Sequence, residues 1–208
     1  MMRIVEPKRL KLAVLASGRG SNFMAVNEAI QAGKLNADIC LLISDQGEAP
    51  ALSRARAIGI EALFINPKDY NNREEYEAEI VKNLKALDID IVVLAGYMRL
   101  VGKVLLEAFK LRILNIHPAL LPSFAGLHAQ SQAVEYGVKF SGCTVHFVDA
   151  GMDSGPIIMQ AVVPVLADDT GEVLAERILA EEHRIYSQVL QLLAEGRIFV
   201  EGRIVHIN

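Results

Sequence analysis

The chain reads as an α/β protein, with a mostly parallel twisted sheet, flanking helices, antiparallel strands in its C-terminal half and a long C-terminal helix. Three observations predict this class. Short apolar runs alternate with segments of helical apolar spacing, which is the pattern of βαβ units. The last two long apolar runs are joined by Asp149–Pro156 alone, a connection too short for a crossover helix, so that pair runs antiparallel. Thr170–Ala194 then carries apolar residues at 174, 178, 185, 189 and 192–193, the stripe of one helix face.

Taken in order, Lys11–Ala16 is a buried strand and Asn22–Ala32 a helix ending near Gly33. Ala37–Ser44 is a second strand, followed by a helix over Pro50–Ile58 that stops at Gly59. Ala62–Ile65 is a short strand and Arg73–Leu87 a helix with charges between its apolar positions. Ile91–Ala95 and Ile113–His117 are the fourth and fifth strands, with a short helix around Lys103–Phe109. Cys143–Val148 and Ile157–Val165 form the antiparallel pair, and Asp168, Asp169 or Thr170 caps the long helix that Gly196 ends. Ile198–Ile207, with Gly202, closes the chain as a hairpin. Residues 1–10 read as a short N-terminal extension and 11–208 as a single domain.

Composition narrows the function. The chain has 208 residues, enough for one sizeable core, and a hydrophobic fraction of 52%. No apolar run approaches the roughly 20 residues of a membrane span, and the charged start has no apolar signal core, so a cytoplasmic protein is expected. A net charge of −4 with mixed signs and no basic stripe argues against nucleic acid. Cys40 and Cys143 both fall in strand-like apolar runs, where buried thiols are the expectation. No His or Cys spacing suits a metal, and none is expected.

Two places carry chemistry. Ser17-Gly18-Arg19-Gly20-Ser21-Asn22 lies between a strand and a helix, where glycines and free amides can cradle a phosphate. The same residues also suit a tight turn with Ser21 or Asn22 as helix cap. The dinucleotide fingerprint fails because its third glycine would fall on Phe23, and the triphosphate loop fails for want of its Gly-Lys-Ser/Thr end. The second place is Asn115 and His117, two apart at a strand's carboxyl end and therefore on one face, with Asp153 in the later Gly-bracketed loop. An amide to stabilise an oxyanion, an imidazole to move or donate a proton and a carboxylate to orient it would serve acyl transfer. Each residue alone also has an ordinary turn or capping role. His128 follows in the loop after the site, His146 faces the core or a hydrogen-bond partner, and His183 belongs to a polar helix face. Ser17 and Ser21 lack the nucleophile-elbow pattern.

With these segments assembled, the chain resembles the glycinamide ribonucleotide formyltransferases over about Lys11–Arg197. The resemblance rests on SGRGSN at 17–22, AGYMRLV at 95–101, NIHPALLP at 115–122, GLHAQSQAV at 126–134, TVHFVDAGMDSGPIIMQ at 144–160 and EEHRIY at 181–186, in that order. It implies a Rossmann-like first half and transfer of a formyl group from 10-formyltetrahydrofolate to the amine of glycinamide ribonucleotide. It further implies that Gly20, Ser21 and Asn22 hold the ribonucleotide phosphate, with Glu182 near the ribose. Met98, Arg99, Leu100, Val101 and Asn115 would line the folate pocket with Asp149, Ala150, Gly151, Met152 and Asp153, and Arg73 would face the glutamate tail. Asn115, His117 and Asp153 would be catalytic. On this reading residues 11–110 are the ribonucleotide-binding half and 111–208 the catalytic and folate-binding half, in a monomer or homodimer. Ala119 and the run Ser123-Phe124-Ala125 depart from the family pattern beside the site.

Rival readings share the Asn-His-Asp set. A methionyl-tRNA formyltransferase would need a further C-terminal domain and a basic surface, and a formyltetrahydrofolate hydrolase usually carries an N-terminal regulatory domain. A nucleotide-binding module without turnover is the alternative from another class.

Overall fold

The computed structural model describes residues 2–208. The strands are β1 (Met2–Arg3), β2 (Leu10–Leu15), β3 (Ala37–Ser44), β4 (Ala62–Phe64), β5 (Ile91–Leu94), β6 (Ile113–His117), β7 (Phe140–Phe147), β8 (Ile157–Pro164), β9 (Ile198–Glu201) and β10 (Ile204–Ile207). The helices are α1 (Ser21–Gln31), α2 (Pro50–Ala57), α3 (Arg73–Ala86), α4 (Lys103–Ala108), α5 (Ala129–Tyr136) and α6 (Gly171–Ala194). Seven strands form the central sheet in the order β4-β3-β2-β5-β6-β7-β8. The first five are parallel, and β7 and β8 reverse direction in turn. The parallel part has the Rossmann order, with the third, second, first, fourth and fifth strands side by side.

The apolar alternation of β2 shows how one strand serves two layers. Leu12 and Val14 enter the larger core, with α1, α2 and α6, whereas Ala13 and Leu15 enter the smaller one, with α3 and α4. Both faces are covered, so the strands are apolar throughout, as parallel strands must be. On α6 the residues Leu174, Ile178, Ile185, Val189 and Leu193 are buried. Tyr186, fully buried on the same helix, places its hydroxyl 2.9 Å from the Leu94 carbonyl and 3.0 Å from that of Leu114. One helix thereby braces β5 and β6 just before their functional loops.

Thr170 is the residue that caps α6, its hydroxyl accepting the Val173 N–H at 3.3 Å. Asp169 instead holds Arg177 through two oxygens, at 2.5 and 2.9 Å. The terminal hairpin is present, and residues ahead of β2 are tied to it. Met2 and Arg3 pair with Val200 and Phe199, and Ile4 N–H donates to the Ile198 carbonyl at 3.2 Å. Met1 lies outside the described residues. Three elements have no counterpart in the sequence reading: β1, α5 and a single 3-10 turn at Pro67–Asp69. The start of α5 is hidden because its cap is His128 in a left-handed conformation, φ +58°, making no side-chain cap bond. Among the described residues no helix is long and apolar enough to cross a membrane.

Candidate active site

β3 and β4 build outward on one side of β2, whereas β5 and β6 build outward on the other. The order of strands therefore reverses between β2 and β5, and the carboxyl ends at such a point are where sheets of this kind bind ligands. β6 adjoins β5. Leu114 and Ile116 point into the larger core, so the two-residue period turns Asn115 and His117 to the other face.

Asp153 reaches them from the β7–β8 loop. One carboxylate oxygen lies 3.3 Å from His117 Nδ1 and accepts the Gly126 N–H at 2.9 Å. The other accepts from Asn115 Nδ2 at 3.4 Å and lies 3.7 Å from His146 Nε2. The approach depends on backbone geometry, since Asp153 adopts φ +48°, a left-handed conformation uncommon outside glycine. Asp149 closes the loop on itself by accepting from Gly151 N–H at 3.1 Å and the Ser154 hydroxyl at 2.6 Å.

Hydrogen-bond chemistry assigns orientations here. His117 Nε2 lies 2.8 Å from the Phe124 carbonyl. The other ring nitrogen, Nδ1, faces the Asp153 carboxylate. His146 Nδ1 lies 2.9 Å from the Phe147 carbonyl and donates to it, leaving Nε2 to accept from Asn115 Nδ2 at 3.2 Å. Burial pushes the His146 pKa down, against the Phe147 bond and the Asp153 charge, in keeping with a neutral ring. Turning the Asn115 amide over would set its oxygen against the Asp153 carboxylate. Asn115, His117 and Asp153 thus meet as one cluster, with its polar groups engaged internally.

His146, read from sequence as facing the core or a hydrogen-bond partner, has its partner here, at a place the sequence reading did not assign to it. Its signal is the alternation of Cys143, Val145 and Phe147 into the core, which leaves Thr144 and His146 on the opposite face. The β6–β7 register sets Asn115 opposite His146 and His117 opposite Thr144, and cross-strand partners share a face.

The Gly20–Asn22 segment forms a second centre at the start of α1. Gly20 has φ +74°, and a Cβ there would stand 2.8 Å from that of Ala51, so the turn needs glycine twice over. First-turn N–H groups of a helix have no intrahelical partner and favour an anion. Asn22 Nδ2 donates to Glu182 at 2.8 Å, while its buried oxygen has no hydrogen-bond partner. Burial pushes the Glu182 carboxyl up, opposed by the Asn22 bond. A sequence signal for Glu182 exists: it interrupts the apolar stripe of α6, four residues beyond Ile178 and three before Ile185. No hydrogen bond or ion pair joins this pair to the Asp153 cluster among the described residues.

Met98–Val101 follow β5. Met98 and Leu100 are 66% and 55% exposed, and the Arg99 guanidinium lies 5.5 Å above the Tyr76 ring. Arg73 opens α3 and is brought to the end of this loop, for a Cβ on Gly102 would lie 2.8 Å from its Cδ. Glu77 accepts the N–H groups of Gly102 and Leu105, the latter at 3.2 Å. In the β7–β8 loop Met152 is exposed. His128 and His183 join neither centre. Burial pushes the Cys143 thiol up to about 12, unsuited to a nucleophile. No three His, Cys, Asp or Glu among the described residues are grouped as a metal site requires.

The chain is similar to known proteins over most of its length. A family model described as formyl transferase matches residues 10–190. The phosphoribosylglycinamide formyltransferase of Bacillus subtilis (strain 168) is 43% identical over 183 residues, covering 88% of this chain and 94% of the relative. A solved glycinamide ribonucleotide transformylase 1 from Symbiobacterium toebii superposes with a TM-score of 0.94 at 52% identity, covering 96% of this chain and 94% of that one. The trifunctional purine biosynthetic protein adenosine-3 of Drosophila melanogaster is 43% identical over 97% of this chain, which spans about 15% of that relative's length.

Proposed function

The chain belongs to the phosphoribosylglycinamide formyltransferases of the formyl transferase family, and on that premise we propose that it formylates the amine of glycinamide ribonucleotide. The donor is 10-formyltetrahydrofolate, and the products are formylglycinamide ribonucleotide and tetrahydrofolate in de novo purine biosynthesis. The observation that carries this reading is the meeting of Asn115, His117 and Asp153 at the carboxyl end of β6, next to the point where the strand order reverses.

The neutral amine attacks the formyl carbon, a C–N bond forms and the carbonyl oxygen takes negative charge. Asn115 and cationic His117 stabilise that oxygen, which takes the place of their internal partners. The Phe124 carbonyl must therefore give up His117. Asp153 sustains the imidazolium and, through water, passes the proton from the attacking nitrogen to the departing folate nitrogen as the old C–N bond breaks. The folate supplies the one-carbon unit. Exposed Met98, Leu100 and Met152 suit the flat faces of its ring, with Arg99, Val101, Ala150 and Gly151 beside them. Arg73 suits its acidic tail.

Gly20, Ser21 and Asn22 hold the phosphate at the α1 terminus, and Glu182 lies under them for a sugar hydroxyl. Residues 11–110 are accordingly the ribonucleotide half and 111–208 the catalytic and folate half of one unit, acting in the cytoplasm as a monomer or homodimer. The test is folate product formation from 10-formyltetrahydrofolate, with and without glycinamide ribonucleotide, beside His117→Ala. Product only with the ribonucleotide, and lost in the variant, supports the transferase. Product without it would make the chain a hydrolase.

A further inference from the structure

The two loops assigned to the two substrates share one residue. Ser17 opens the 17–22 loop, and its backbone N–H donates to the Gly96 carbonyl at 3.0 Å. Its hydroxyl accepts the Met98 N–H at 2.9 Å and donates to Asp45 at 2.6 Å. Asp45, at the end of β3, is only 5% exposed, and its second oxygen takes the Gln46 side-chain amide at 3.0 Å. These two bonded partners, a hydroxyl and a neutral amide, carry no charge. A buried carboxylate held in this way is costly and needs every donor it has. Its effect on Ser17 is specific: it takes the hydroxyl proton and so turns an oxygen lone pair toward Met98.

At its far end the Met98–Val101 segment is fixed by Glu77, through Gly102. Between these two clamps Met98 and Leu100 have most of their surface in solvent, while Val101 packs against the smaller core. The near clamp is attached to the loop in which Gly20–Asn22 receive the phosphate.

We propose that Ser17, held by Asp45, is a positioning residue that couples the two substrates. Ordering the 17–22 loop with the ribonucleotide also orders Met98–Val101 for the folate. A second ligand then meets part of the ordering cost already met by the first, and linkage makes the effect reciprocal. The inference rests on the transferase reading above.

The test is calorimetric titration with tetrahydrofolate, the non-transferring product, with and without saturating glycinamide ribonucleotide. In the wild-type chain the ribonucleotide should tighten folate binding about fivefold or more, the lower end of ordinary coupling. Ser17→Ala should bring that ratio to within about twofold and raise the folate KM by a larger factor than it lowers kcat. Ser17→Thr, which keeps the hydroxyl, should restore the ratio. Because Ser17→Ala strips a donor from a buried charge, Ser17→Ala with Asp45→Asn provides a second chain without the clamp, and it should lose the ratio too. A wild-type ratio near one, or an unchanged ratio in both variants, overturns the coupling. Formyl transfer by the wild-type chain separates the two failures: with transfer intact only the coupling falls, and without transfer the functional reading falls and takes the coupling with it.

Discussion

Two nearly buried carboxylates serve the two centres, and they are held in opposite ways. Asp153 stands on a loop, in a left-handed backbone conformation, with the Gly126 N–H, the Asn115 amide and the His117 ring around it. Glu182 stands in the middle of the longest helix, on its apolar face, with one donor, Asn22. Donors that match an ionised carboxylate stabilise its charge, whereas burial with a single donor works against it. The first arrangement suits the proton-transfer role proposed for Asp153. The second suits a group that positions a neighbour and offers an acceptor to a ligand. Location in the chain follows role: a loop can bend to reach a strand end, and a helix interior cannot.

The largest test of this contrast is Asp153→Asn. Turnover should fall about 10²–10⁴-fold, the usual worth of a proton-transfer group, while both substrate affinities change far less. Steady-state kinetics with separate binding measurements would decide it, and normal turnover would remove Asp153 from the mechanism. Next in size is His146→Leu, which removes the acceptor that fixes the Asn115 amide. kcat should drop about tenfold, near the value of one hydrogen bond, and an unaltered kcat would reduce His146 to packing.

Tyr186→Phe probes the brace that α6 supplies to both regions. It leaves the Leu94 and Leu114 carbonyls without their shared donor and should cost about 1 kcal/mol. That is a fall of roughly 2–4 °C in melting temperature for a chain of this size. No shift on calorimetry would mean that neighbouring backbone groups replace the hydroxyl.

The smallest effect concerns Glu182. Its folded carboxyl is raised by burial above the ordinary value of 4.5. The folded chain therefore binds the proton more tightly than the unfolded one. The associated stability is fully present below pH 4.5 and is lost as pH rises through the raised value. Urea unfolding at a series of pH values should find this loss in the wild type and not in Glu182→Gln. Parallel profiles would mean that Glu182 ionises in the fold as it does in water.

Much of the architecture was legible because it is local. The alternation of apolar strands with helical spacing, Gly20 at a strand-to-helix turn, and the hairpin around Gly202 each depend on neighbours along the chain. α5 escaped because His128 caps it with backbone alone and its eight residues carry little apolar patterning. The pairing of Met2–Arg3 with β9 escaped because so short a strand has no periodicity to read.

At the site the division is sharper. Sequence alone determined that Asn115 and His117 share a face at a strand end, since side-chain alternation is a property of the strand itself. Tertiary structure decided that Asp153 lies 3.3 Å from His117, that His146 stands opposite Asn115, that Glu182 meets Asn22, and that Ser17 holds Met98. Each of those contacts joins elements far apart in the chain. Strand order, register and helix packing bring them together, and these follow from burying both faces of one sheet at once rather than from any residue's near neighbours.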